Sequence, residues 1–230
     1  MGFSGFSPET VSFLFELPFQ NTMERLPENK EKAQALITWP LTELYQALAP
    51  AAQGISPTFE TKPAKCISTL FSDMRFSRGA PLKTYLYLRF REPGHEKDAL
   101  GLFFDMGCQD YGYGLRIYHQ TSAGMEKIRA GVQKNRAVYL SALRKAAAHG
   151  FLLTGDSFVK DHFPGESNPE LKSLLNRKGF YFSRTCPISH RVFSQRLAEE
   201  IADGFSALSD LYLLFKADLY GGDGHAAHEN

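Results

Sequence analysis

At 230 residues the chain is long enough to bury a sizeable core, and its 13% aromatic content, with 19 Phe and 10 Tyr, excludes a disordered polymer. Lys and Arg total 26 against 25 for Asp and Glu, so no charge excess draws it onto nucleic acid or an anionic membrane. Three scattered cysteines, no signal-peptide pattern and no apolar run near the ~20 residues of a membrane span lead to the expectation of a cytoplasmic protein.

Ser7-Pro8-Glu9 has the form of a helix start, with a hydroxyl cap, proline at the first helical position and an acid at the positive end of the dipole. Phe13, Leu14 and Leu17 predict a short helix that Pro18 stops. From Glu28 to Ala49 apolar residues recur every three or four positions, which predicts a long amphipathic helix that Pro40 kinks or splits. Gly54 to Pro63 reads as a loop, Cys66 to Phe71 is ambiguous, and Ser72 to Gly79 is a polar run closed by a turn.

Three alternating strands follow. Thr84, Leu86, Leu88 and Phe90 face one way, and Lys83, Tyr85, Tyr87, Arg89 and Arg91 the other. Leu100, Leu102, Phe104 and Met106 oppose Gly101, Phe103 and Asp105, and Tyr111, Tyr113, Leu115 and Ile117 oppose Gly112, Gly114, Arg116 and Tyr118. Short connections at Pro93-Gly94 and Cys108 to Asp110 predict an antiparallel meander with its apolar face on helices.

Residues 123–148 are helical, with a break at Gly131 or near Asn135, and Gly150 closes them. A strand near Phe151 to Leu153, an irregular excursion from Gly155 to Pro169, a short helix from Glu170 to Asn176 and a strand from Phe180 to Cys186 come next. The last helix is predicted as one piece from Ser189 to about Ala217. The fold class expected is a single α+β domain over residues 1–219, a mainly antiparallel β-sheet packed against long α-helices, with a flexible polar tail at 220–230.

Gly5-Phe6-Ser7-Pro8-Glu9-Thr10, Asn21 and Glu28-Asn29-Lys30, then Ile67-Ser68, Asp73, Arg75-Phe76-Ser77 and Lys83-Thr84, carry a resemblance. The chain resembles the bacterial and fungal family of domain of unknown function 2461, over about residues 5–216. It departs from that pattern at Glu24-Arg25-Leu26-Pro27, where an aromatic pair is usual, and at Leu82, where Tyr is usual. The resemblance implies a single α+β domain and supplies no mechanism.

Asp73, Arg75, Arg78 and Lys83 form the densest polar cluster beside a strand start. Guanidinium and ammonium groups oriented by a carboxylate suit a phosphate or carboxylate ligand; an ion pair pinning a loop to the sheet is the structural alternative. The polar sheet face, with Tyr85, Tyr87, Arg89, Phe103, Asp105, Arg116 and Tyr118, is either a shallow site to which Gly101, Gly112 and Gly114 give room, or a surface covered by the 123–148 helices or the 155–169 loop. The expected ligand-binding set is Asp73, Arg75, Arg78 and Lys83 with Arg116 as a further anion anchor and Tyr85 and Tyr113 as walls.

No paired His or Cys spacing, nucleophile elbow or dinucleotide fingerprint is present, so no metal, cofactor or reaction is assigned. Aromatic and basic residues on a sheet invite an RNA reading, against which stand the balanced charge and the lack of an RNA-binding motif. Two functions stay open: a module, catalytic or not, for a small anionic metabolite, and a non-catalytic protein–protein interaction domain.

Overall fold

The computed structural model of the chain describes residues 2–73, 75 and 80–221. Helix α1 (Pro8–Gln20) begins as the sequence predicts, with the Thr10 N–H donating to the Ser7 side chain at 3.3 Å. It continues through Pro18, whose ring falls in the last turn, where a missing N–H costs only one intrahelical bond.

The long helix is split where Pro40 predicts. α2 (Leu26–Ala33) passes into a π-turn, Gln34–Thr38, in which the Trp39 N–H reaches back five residues to the Gln34 carbonyl, and then into α3 (Trp39–Ile55). Pro40 has no N–H to offer the Leu36 carbonyl four residues before it. The Thr10 hydroxyl, fully buried on α1, donates to that carbonyl at 2.8 Å. α3 extends past the predicted end at Ala49 to Ile55, through Pro50, with Leu48 and Ala52 buried on either side of the proline.

After a one-turn helix α4 (Pro63–Cys66), a five-stranded antiparallel sheet forms from β1 (Leu86–Arg91), β2 (Ala99–Met106), β3 (Asp110–Tyr118), β4 (Leu152–Thr154) and β5 (Tyr181–Pro187), in the order β1-β2-β3-β5-β4. The fold is α+β. β4 is short because its three residues pair Leu152 to Ser183 and Thr154 to Tyr181 before Gly155, at φ 121°, turns the chain away.

Helices α5 (Ser122–Lys134) and α6 (Arg136–Ala148) break at Asn135, and α7 (Pro169–Leu175) is capped by the Asn168 side chain. The predicted final helix is two helices, α8 (Arg196–Ala207) and α9 (Ser209–Tyr220). Residues 189–195 are instead a series of turns that receive the N-terminal segment: Phe6 N–H donates to the Val192 carbonyl at 2.9 Å, and a Cβ at Gly5 would stand 2.3 Å from the Phe193 backbone. The break at Leu208 shifts the buried stripe, so Leu211, Tyr212, Phe215 and Leu219 are buried and Leu214 is only half-buried. Tyr220, expected in the tail, belongs to α9; the tail from Gly222 lies outside the described residues.

The contacts divide the chain into two units. One comprises the residues up to Arg91, Leu102–Tyr113 and Thr185–Gly204; the other comprises Glu92–Gly101, Gly114–Arg184 and Phe205 onward. In the first, Leu41, Leu44 and Leu48 of α3 and Leu86, Leu88 and Phe90 of β1 are fully buried, and Tyr45 stacks on Phe90 at 5.3 Å. In the second, Phe215 of α9 packs against Tyr139, Phe180 and Phe182. Each such side chain contributes roughly 1.5–3 kcal/mol on burial. No helix among the described residues is long and apolar enough to cross a membrane.

Candidate functional site

The ambiguous stretch before β1 is one arm of an extended hairpin. Ser68 N–H donates to the Tyr87 carbonyl at 2.8 Å, Lys83 N–H to Leu70 at 2.9 Å and Ser72 N–H to Pro81 at 2.9 Å, with bridges Ile67 to Leu88 and Phe71 to Leu82. Asn21 braces the other edge as a strand would: its Nδ2 donates to the Leu82 carbonyl at 2.7 Å, and its Oδ1 accepts the Leu82 N–H at 3.0 Å. This couples Asn21 to the hairpin across 61 residues of sequence.

Asp73 and Arg75 lie toward the hairpin tip. Asp73 Oδ1 accepts the Arg75 backbone N–H at 3.0 Å and its Nε at 2.9 Å, while Oδ2 accepts an Nη2 hydrogen at 2.6 Å. The guanidinium holds the Asp73 carboxyl below its ordinary value, and the carboxylate in turn raises that of Arg75. Arg75 is 80% exposed, so the Asp73–Arg75 pair lies at the surface. Arg78 lies outside the described residues.

Lys83 sits at the base of the same hairpin. Its Nζ donates to Thr69 Oγ1 at 3.2 Å and stands 5.2 Å from the centre of the Tyr87 ring. Arg89 approaches that ring at 5.4 Å, and Tyr85, 51% exposed, stacks on Tyr87 at 6.1 Å. Tyr87 and Arg89 share a face of β1, while Lys83 and Tyr85 reach the Tyr87 ring from a bend at Thr84 and Tyr85, where the strand expected from residue 83 is interrupted and Thr84 is exposed. Thr69 escaped the sequence reading because Cys66 to Phe71 lacks a clear period.

Tyr113 is not a wall residue. It is fully buried, and its hydroxyl donates to Glu200 Oε1 at 3.1 Å, beside Tyr111, which donates to the same oxygen at 3.2 Å. Arg191 donates to Glu200 Oε2, and the Glu200 side chain is only 8% exposed. Burial, followed by the Glu200 charge, pushes the Tyr111 hydroxyl up from its ordinary value. The inward parity of Tyr113 places it with Leu115 and Ile117, and the buried carboxylate that satisfies its hydroxyl comes from α8, far along the chain.

Arg116 belongs to the second unit, exposed on β3, where it stacks over Tyr118 at 5.4 Å and Tyr181 at 5.6 Å. The helices of that unit pack behind the sheet through Phe215 and leave Arg116 open. Gly114 gives no room to a ligand: a Cβ there would meet the Phe182 carbonyl oxygen at 1.9 Å, so the space is taken by the β5 backbone. Of the expected set, the fold brings Asp73 and Arg75 into contact and puts Lys83 and Tyr85 on the same hairpin, each in its own contacts.

Comparison with curated proteins returns no match. A family model described as conserved hypothetical protein DUF2461 matches residues 9–213, a span that includes nearly all of α1, the hairpin, the whole sheet and the first turn of α9. The chain belongs to the DUF2461 family.

Proposed function

We propose that the chain binds a small anionic ligand on the hairpin of the first unit. The observation that carries this reading is Lys83, whose ammonium meets a hydroxyl and an aromatic face but no carboxylate among the described residues. Its charge is therefore available to an anion. Tyr85 supplies an aromatic wall, and the exposed Arg75, whose Nε and Nη2 are engaged by Asp73, places a second cationic group on the same hairpin. The reading is of binding and names no reaction. A reducing compartment, the cytoplasm, fits the three unpaired cysteines.

The test is a thermal-shift screen of the full chain against phosphorylated and carboxylated metabolites, repeated with Lys83→Met and Arg75→Ala. A ligand at about a hundred times its dissociation constant adds ~2.7 kcal/mol, or roughly 5–10 °C for a chain of this size. The expected result is a shift that Lys83→Met abolishes while its own melting stays near wild type. A shift that survives both substitutions refutes the assignment.

A protein-binding surface is favoured by one observation, the exposure of Phe71 (43%) and Tyr85 (51%) on the same hairpin. Loss of a co-purifying protein on Tyr85→Ser, with no metabolite shift in the wild type, selects that reading instead.

A further inference from the structure

The second unit holds a cavity of about 320 Å³ beneath the loop that joins β4 to α7. The loop is tied down at both ends. Asn176, just after α7, accepts the His162 N–H at 2.9 Å and donates to Asp161 at 2.9 Å, and Lys172 pairs with Asp161 at 2.7 Å. At the other end, Glu166 takes both terminal nitrogens of Arg136 and the Asn168 N–H at 2.8 Å. His162 stacks on Phe158 at 4.1 Å. A cavity under so constrained a loop is a formed feature of the fold.

Its lining decides the ligand chemistry. Glu166, the carboxylate in the wall, is 4% exposed and committed to Arg136 and Asn168, so it offers little to a cation. Arg136 is 49% exposed and has more N–H groups than the pair with Glu166 uses. The Gln133 amide and the His162 ring, also in the wall, make no side-chain hydrogen bond among the described residues. Phe163 and Leu175 supply the apolar remainder. Donors exceed free acceptors, so a matching ligand brings acceptors and a small apolar body. The volume stands at the low end of the range for small-molecule sites, about 300–1,000 Å³.

We propose that this cavity binds a small carboxylic acid with a compact apolar body, its carboxylate on Arg136 and Gln133 and its body against Phe163 and Leu175. The proposal is independent of the hairpin reading, whose residues all lie in the other unit.

The test is a titration of isotope-labelled full-length protein with sodium benzoate, read by amide chemical shifts. Benzyl alcohol serves as the body without the charge, and inorganic phosphate as the charge without the body. Saturable shifts centred on Gln133, Arg136, Phe163, Gly165 and Leu175 are expected, with benzyl alcohol and phosphate each bound roughly tenfold more weakly or not at all. Arg136→Lys keeps a positive partner for Glu166 but loses the fork, and should weaken benzoate roughly tenfold. Gln133→Leu, at an exposed position with no bond to lose, should weaken it by a smaller factor in a folded protein. The proposal is overturned if benzoate shifts nothing, if the shifts centre on Lys83 to Arg89, if phosphate reproduces them, or if both folded variants bind benzoate like the wild type.

Discussion

Thr10 offers a direct way to weigh the strategy by which the chain tolerates a proline in its longest helical run. The Leu36 carbonyl faces a position without an N–H, and the Thr10 hydroxyl donates to it at 2.8 Å. Thr10→Val removes the hydroxyl and keeps the β-branched shape and comparable helix propensity. A typical intramolecular hydrogen bond is worth ~0.5–1.5 kcal/mol net, and a buried acceptor left without its donor costs ~1–3 kcal/mol. Thr10 is fully buried but Leu36 only half-buried, so a loss of about 1–2 kcal/mol is expected, or ~2–8 °C in a chain of this length. Thermal and urea unfolding measure it. The control is Pro40→Ala, which gives the carbonyl a backbone donor. In that background Thr10→Val should cost about 1 kcal/mol less than in the wild type. Pro40→Ala also loosens the unfolded chain, by ~0.4–1 kcal/mol, a contribution that cancels in the cycle. The reasoning fails if Thr10→Val melts like the wild type, or if its cost is the same with and without Pro40.

Two further predictions separate packing from binding. Tyr113→Phe removes one of the two phenol donors to Glu200 Oε1 while Tyr111 and Arg191 remain, so a loss near the low end for charge-assisted bonds, about 1.5 kcal/mol, should appear in unfolding while any hairpin ligand binds unchanged. A weakened ligand at unaltered stability would return Tyr113 to the site. In the loop over the second-unit cavity, Lys172, then Asn176 and the Phe163 N–H, hold the Asp161 carboxyl down at about 2. Because its folded value lies below the ordinary 3.8, the stability it lends is complete above that value and is lost as pH falls to about 2. Hydrogen exchange of residues 156–166 should therefore rise over that window, and Asp161→Asn should open the loop at neutral pH and remove the step. An unchanged acid profile in the variant assigns the loop's order to other contacts.

The four longer strands were legible because each carries a two-residue side-chain period over at least six residues, and β1 from Leu86 to Arg91 shows the expected burial, whereas Thr84, expected inward, is exposed in a bend before it. Pro40 was legible as a disruption for the same local reason, a missing N–H. The misread boundaries involve partners far away in sequence. α1 runs past Pro18 with Leu17 fully buried beside it, α3 runs past Pro50 between two buried residues, and the turns at 189–195 exist to seat Phe6 and Gly5. Nothing within a window of ten residues announces these contacts.

The candidate site divides along the same line. The Asp73–Arg75 fork is an interaction between residues two apart and could be read from the chain, whereas Lys83 and Tyr85 meet Tyr87 across a bend that a two-residue period does not announce. Tyr113 and Gly114 were misread because their surroundings come from elements some seventy or more residues away, a carboxylate from α8 and a backbone from β5. A period of two assigns a residue to a face, but only tertiary packing decides whether that face meets water, a helix or a neighbouring strand. On the outer edge of the hairpin Asn21 satisfies both the N–H and the carbonyl of Leu82, the residue before Lys83, and so fixes the arm from which Lys83 and Tyr85 project. Asn21 thus acts on the site as a positioning residue, through the two bonds by which it replaces a neighbouring strand.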